Sequence, residues 1–230
     1  MSKYILSLVL IPLCFINCKK KADNSLIYST EKNEIEEIEI ELPQLLKWTE
    51  SYSNSEIKRR FDAEAQDGTK ILGVYIPNEI AQINVDSLEY IDFDNYSIFF
   101  IRNHEQKWKI KNNDMQRIFN IHLDKANVEM LDIDETIKKA HKDSTFIKPE
   151  KFYFLRDYKS HDNAYTAIQI IKPFLNDHND IKVYAYNIIN IKNHLVYGGY
   201  YLDFKGKKSI HKAIKNNELI ISKFIDKNLK

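Results

Sequence analysis

The densest run of reactive side chains is Asp132-Ile133-Asp134-Glu135-Thr136. Paired carboxylates can share acid, base and nucleophilic work when a strand end fixes their geometry. The same letters suit the start of a helix, with Asp134 as N-cap and Glu135 in the first turn, near the positive end of the dipole. The seven histidines are scattered. None belongs to an H-E-x-x-H motif, and no two form a tight ligand pair. His161-Asp162 with His178 and Asp180 is a loose set for a general base or a metal, and polar turn chemistry is the preferred account of it. Six residues separate Gly199 from Gly206, and Lys208 stands where a P-loop needs Ser or Thr, so no phosphate loop is read there. Gly198-Gly199 reads as a β-bulge and Gly206 as a turn. There is no G-x-S-x-G nucleophile elbow.

The aromatic side chains offer binding rather than catalysis. Tyr184, Tyr186, Tyr197, Tyr200, Tyr201 and Phe204 fall on two adjacent strand-like segments. Alternation puts Tyr184 and Tyr186 on one face of the first segment, and Tyr197 and Tyr201 on one face of the second. If those faces coincide and stay open, Tyr184, Tyr186, Tyr197 and Tyr201 form a binding surface, since aromatics are enriched in interface cores. Ordinary sheet packing with hydroxyls at the rim is the competing expectation, and the favoured one.

The D-I-D-E-T run resembles the D-x-D-x-T motif of the haloacid-dehalogenase superfamily, whose class C acid phosphatases include lipoproteins. The resemblance implies Asp132 as nucleophile and magnesium ligand, and Asp134 as general acid. The match covers five residues. The βαβ rhythm of that family's doubly wound core is missing from the rest of the chain.

The elements that must position these groups alternate between strand and helix. Glu37, Glu39 and Glu41 alternate with Ile38, Ile40 and Leu42, which predicts a half-buried strand. Ser53 with Glu56 predicts a capping box and a helix through Ile57, Phe61 and Ala65, ended by Asp67-Gly68. Strands are expected at 71–76, 88–93, 96–101 and 107–110, with a hairpin turn at 103–106. Met115, Ile118, Phe119 and His122 recur at helical spacing. A short helix behind Asp134 runs through Ile137 and His141. Strands follow at 152–155, 164–171, 181–191 and 195–204, with turns at 177–180 and 192–194. Ser209 then caps a helix from Ile210 toward Leu229.

Each half thus reads as a strand meander followed by helix. The expected class is α+β, an antiparallel sheet with helices packed on one face, suggesting two similar halves. In its second half the order of elements is loosely similar to the small antiparallel-sheet domains of the PsbP type.

Hydrophobic residues at 43% and aromatics at 12% suffice for a real core. Lys and Arg number 34 against 33 Asp and Glu, a net charge of +1. That balance lacks the basic excess nucleic-acid binders use, so no nucleic-acid partner is expected. Five glycines and five prolines exclude collagenous and low-complexity classes.

The amino-terminal residues speak about address. Lys3 precedes an apolar run, residues 4–16, too short for a membrane span and right for a signal peptide. Cys18 ends the run and Lys19-Lys20-Lys21 follow. This apolar-cysteine-charged junction resembles the lipobox of bacterial lipoproteins, which implies cleavage before Cys18 and acylation of its thiol. The expected division is a signal peptide at 1–17, lipidated Cys18 and a polar tether through 34, and an α+β domain at 35–230. Cys14 would leave with the leader, so the domain would carry no thiol chemistry.

The expectation is therefore a lipid-anchored cell-envelope protein, in the outer membrane. It leans to a non-enzymatic role: binding a protein or small envelope ligand, as accessory and immunity lipoproteins do. No catalytic, cofactor-binding or metal-ligating residue is assigned. A magnesium-dependent phosphatase using Asp132 and Asp134 is the alternative.

Overall fold

A computed structural model describes residues 39–82, 93–126, 128–130, 132–149, 151–172 and 181–229. All of these lie in the unit Glu31–Lys230; the other unit, Met1–Thr30, lies outside the described residues. So do the whole expected leader, Cys18 and the tether, Ile38, most of the strand expected at 88–93, and His178, Asp180 and the turn at 177–180.

Among the described residues, eight strands form one sheet: β1 (Trp48–Glu50), β2 (Thr69–Pro77), β3 (Asn95–Arg102), β4 (Val128–Met130), β5 (Phe152–His161), β6 (Ala164–Ile171), β7 (Lys182–Ile191) and β8 (His194–Asp203). Their spatial order is β1-β2-β3-β8-β7-β6-β5-β4. Neighbours are antiparallel except β4, which runs parallel to β5. The β3–β8 ladder joins the first three strands to the last five, so the two expected halves share one continuous sheet. The β7–β8 hairpin turns at Lys192 (φ 49°) and Asn193 (φ 68°). Positive φ at both central residues is the turn geometry that matches strand twist.

Among the described residues, five α-helices accompany the sheet: α1 (Ser55–Glu64), α2 (Asn78–Ala81), α3 (Met115–Lys125), α4 (Ile133–Lys142) and α5 (Lys207–Asn228). The fold is α+β, with the long helix α5 and the shorter α4 packed on one face of the antiparallel sheet. That face carries Tyr75, Phe99, Val183, Ala185, Ile189, Val196, Tyr200 and Leu202, and α5 lays Ala213, Ile221, Phe224 and Ile225 on it. Phe224 is fully buried, its ring 4.1 Å from that of Phe99 at 11°. Ala140 of α4 joins the same cluster. Beneath α5 the amides of Asn187 and Asn217 bond each other reciprocally at 2.8 and 2.9 Å. A buried polar pair satisfied this way avoids the desolvation penalty of an unmet donor. The opposite face receives α1 at one side, where Ile57 and Phe61 meet Ile71, Val74 and Ile76. It receives α3 at the hairpin end, where Met115, Ile118 and Phe119 meet Ala167, Ile188, Leu195 and Tyr197.

Several local expectations are corrected. Residues 39–42 form no strand. Glu41 instead gives its backbone N–H to Asn228 Oδ1 and takes Asn228 Nδ2 on its carbonyl, which docks this segment on the end of α5. Residues 107–110 form no strand either; Ile110 donates to the Asn193 carbonyl, and Asn190 Nδ2 donates to the Ile110 carbonyl. The cap of α1 is Asn54, not Ser53. The cap of α4 is Asp132, not Asp134. The cap of α5 is Gly206, while Ser209 reaches back from inside the helix to the Gly206 carbonyl. Gly198 and Gly199 pair in unbroken register with β7, so no bulge lies there. They serve close approach: a Cβ on Gly198 would press on Ile221 and Phe99, and one on Gly199 on Tyr201, Ile98 and Tyr184.

Candidate ligand-binding face

The register of three strands puts one row of aromatics on the sheet face opposite α5. Tyr184 stands across from Tyr201, Tyr186 across from Gly199, and Ile188 across from Tyr197. On the other side of β8, Tyr96 stands across from Tyr201 and Phe100 across from Tyr197. Tyr184, Tyr186, Tyr197 and Tyr201 therefore share one face. Their rings stack in pairs: Tyr96 on Tyr201 at 4.4 Å, Tyr201 on Tyr184 at 4.6 Å, and Tyr186 on Tyr197 at 6.1 Å. Gly199 has no side chain to lift Tyr184 and Tyr201 off the sheet. Tyr96, Tyr186 and Tyr201 are half-buried, and Tyr184 is 8% exposed. Among the described residues, Tyr184 and Tyr201 belong to none of the apolar clusters under the helices.

Tyr197 is different. It is fully buried and forms the root of the row rather than its surface. Its hydroxyl donates to Glu105, itself only 4% exposed. Arg102 caps the Tyr197 ring, its guanidinium carbon 4.7 Å from the ring centre. Arg102 Nη1 lies 3.1 Å from His122 Nδ1, and His122 Nε2 lies 3.4 Å from the Tyr197 hydroxyl. Arginine only donates, so Nδ1 of His122 accepts and its ring proton sits on Nε2. The hydrogen bonds then run one way: Arg102 to His122, His122 to Tyr197, Tyr197 to Glu105. Glu105 Oε1 also faces Arg102 at 3.7 Å and His104 at 3.3 Å. The buried carboxylate is thus met by a cation and a phenol, which locks Tyr197 beneath Tyr186.

Burial raises the pKa of Tyr184, Tyr186, Tyr197 and Tyr201. Tyr201 is pushed up to about 12, chiefly by burial, with the hydrogen bond from Tyr184 working against the rise. Tyr184 lies well above the ordinary value through burial first, then its neighbours Tyr201 and Tyr186. Tyr186 and Tyr197 are raised mainly by burial as well. Burial opposes the charge on Arg102, but Tyr186, Tyr197 and Glu105 hold it, and its pKa lies above the ordinary value. At neutral pH the face therefore presents protonated hydroxyls and flat rings, with a fixed cation at one end. Such a surface can hold a ligand by ring contact and hydrogen bonds.

The other sequence candidates are dispersed. Asp132 accepts the Glu135 N–H at 2.8 Å, and its carbonyl takes the Thr136 hydroxyl at 2.7 Å. Asp134 is exposed and lies 3.6 Å from Lys207. The strand before them, β4, is a three-residue edge of the sheet. His161 Nδ1 accepts the Asn163 N–H, and Asp162 takes Lys159 at 2.8 Å, so both serve the β5–β6 turn. Among the described residues, no group of three or more His, Cys, Asp or Glu is placed to hold a metal ion.

Arg102, Glu105 and His122 were missed as partners of the tyrosines. Glu105 fell in an expected turn and His122 in a helical pattern, and no spacing connects either with Tyr197. No family model matches this chain, and no curated protein or solved structure matches it.

Proposed function

We propose that this chain is a lipid-anchored envelope protein, held in the outer membrane through Cys18, that binds a protein or small envelope ligand on its tyrosine face without catalysing a reaction. One observation carries the binding half of this reading. Tyr96, Tyr201 and Tyr184 stack in sequence on a sheet face between the α1 and α3 clusters, and Tyr186 extends the row. Tyrosine supplies a large rigid contact at small entropic cost, with a hydroxyl for orientation. Arg102 and Glu105 fix the inner end of the row, so the surface is organised before any ligand arrives. The anchor half rests on the apolar-cysteine-lysine junction at Cys18.

The test is capture from detergent-solubilised membranes with lipidated full-length protein. A Tyr186→Ser, Tyr201→Ser double variant should lose the partners that the wild type retains. Equal recovery by both proteins would remove the tyrosine face from the account. Magnesium-dependent phosphatase turnover that disappears in Asp132→Asn would replace binding with hydrolysis.

A further inference from the structure

Helix α5 carries positive charge where a helix tolerates it least. Lys207 and Lys208 occupy its first turn, and no acidic residue stands there. That end already holds the positive pole of the helix dipole, so cations there cost stability. His211, Lys212 and Lys215 follow before the first acid, Glu218. Lys208 and Lys212 are four apart, and Lys212 and Lys215 three apart, so like charges meet on successive turns. At about 100° per residue, Lys208, Lys212, Lys215 and Lys223 share one outward sector. All four are exposed, opposite buried Ala213, Asn217, Ile220 and Phe224. Lys207 faces Asp134 and Lys227 pairs with Glu41, but among the described residues Lys208, Lys212, Lys215 and Lys223 form no ion pair.

Leu219 stands in the same sector, one turn after Lys215 and one turn before Lys223. It is 48% exposed, one of the few large apolar side chains left in solvent among the described residues. Local rules broken together on one exposed face mark a surface that serves something outside the fold.

We propose that this ridge of α5 is a docking surface for an anionic phospholipid membrane. Lysines meet the headgroup phosphates, and Leu219 enters the boundary between headgroups and acyl chains, as an apolar side chain does in interfacial helices. A phosphate backbone without a lipid phase would give Leu219 nothing to contact. The proposal draws on the anchored reading only for where a membrane would be; the ridge needs no acyl chain to bind.

The test uses the full chain carrying Cys18→Ala, with vesicles of phosphatidylcholine alone or mixed with phosphatidylglycerol. The apolar segment at residues 4–16 adds the same affinity to every variant, so differences between variants report the ridge. Each lysine near an anionic surface is worth about fivefold in partitioning. Lys208→Gln, Lys212→Gln and Lys215→Gln together should weaken binding to the anionic vesicles by about 100-fold, with no change on phosphatidylcholine. Salt should weaken wild-type binding by screening. Leu219→Ser should weaken vesicle binding yet leave binding to a DNA duplex unaltered. All these side chains are exposed, so no variant should unfold at a lower midpoint than the wild type, and the triple variant should gain slightly from the relief of like charges. Equal partitioning of the triple variant and the wild type, or salt-independent binding, overturns the proposal. So does Leu219→Ser binding both vesicles and duplex as the wild type does, which would make the ridge a general polyanion site. Palmitate labelling of the wild-type chain reads the anchor separately: no label on Cys18 with the lysine effect intact removes the anchor and keeps the ridge.

Discussion

Tyr184 and Tyr201 face each other across the β7–β8 ladder, their rings 4.6 Å apart and inclined by 22°. Both rings lean over Gly199, where an added Cβ would lie 2.9 Å from Tyr201 and 3.1 Å from Tyr184. Gly199→Ala should therefore displace both rings and destabilise the fold by about 1–3 kcal/mol, the usual cost of overpacking. Near-ultraviolet circular dichroism should report the altered tyrosine packing, and denaturant unfolding the lost stability. An unchanged spectrum and midpoint would show that the two rings do not rest on this glycine.

The helix on the other face is expected to be needed for folding. Phe224 is fully buried and stacks on Phe99, which links α5 to a strand from the first part of the chain. Phe224→Ala should cost about 3–5 kcal/mol. A domain stable by about 5–15 kcal/mol would lose a large share of that, or unfold. The measurement is the denaturant midpoint, and a midpoint equal to the wild type would deny the docking of α5.

What could be read from residues alone depended on whether the relevant forces were local. The β7–β8 hairpin was legible because two long runs rich in β-branched and aromatic residues flank a three-residue polar break at Lys192-Asn193-His194. Once that hairpin is fixed, alternation puts Tyr184 and Tyr186 on one face of β7, and Tyr197 and Tyr201 on one face of β8. The register then sets Tyr184 against Tyr201. Helix α5 was legible from Ile210, Ala213, Ile221, Phe224 and Ile225. Caps were missed by small steps, because Ser53 and Asn54, or Asp132 and Asp134, are equally good capping types and only geometry chooses. The alternation at Ile40 and Leu42 did report an inward side, since both pack against the core. It could not show that Asn228, far along the chain, would take the place of a strand partner. Glu105 was invisible for the same reason: its partner Tyr197 lies 92 residues away.

Asp132 offers a clean separation between structure and chemistry. Its carboxylate caps α4 by accepting the Glu135 N–H. Asp132→Ala should cost about 0.5–2 kcal/mol, while Asp132→Asn, also a good cap, should stay within a few tenths. Magnesium should leave the melting temperature of the wild type unchanged. If Asn destabilises as much as Ala, or magnesium raises the wild-type melting temperature but not that of Asp132→Asn, the carboxylate is doing more than capping.

The tyrosine row also fixes how stability depends on alkaline pH. Burial pushes Tyr200 and Tyr201 up to about 12, and Tyr184, Tyr186 and Tyr197 are raised as well. In the unfolded chain a phenol loses its proton near 10. Below that value both states are protonated and these groups leave stability level with pH. Above it the unfolded state releases protons that the folded state keeps, so stability falls as pH rises. The loss begins near 10 and continues through about 12, where Tyr200 and Tyr201 ionise in the fold. The denaturant midpoint should be flat from neutral pH to about 9 and then drop. Phenolate absorbance should show exposed tyrosines titrating first, followed by a steep rise that coincides with loss of the far-ultraviolet signal. A single smooth titration near 10 with secondary structure intact would mean that water reaches these hydroxyls freely, and the row would then be an open surface without the packed root that Tyr197, Arg102 and Glu105 provide.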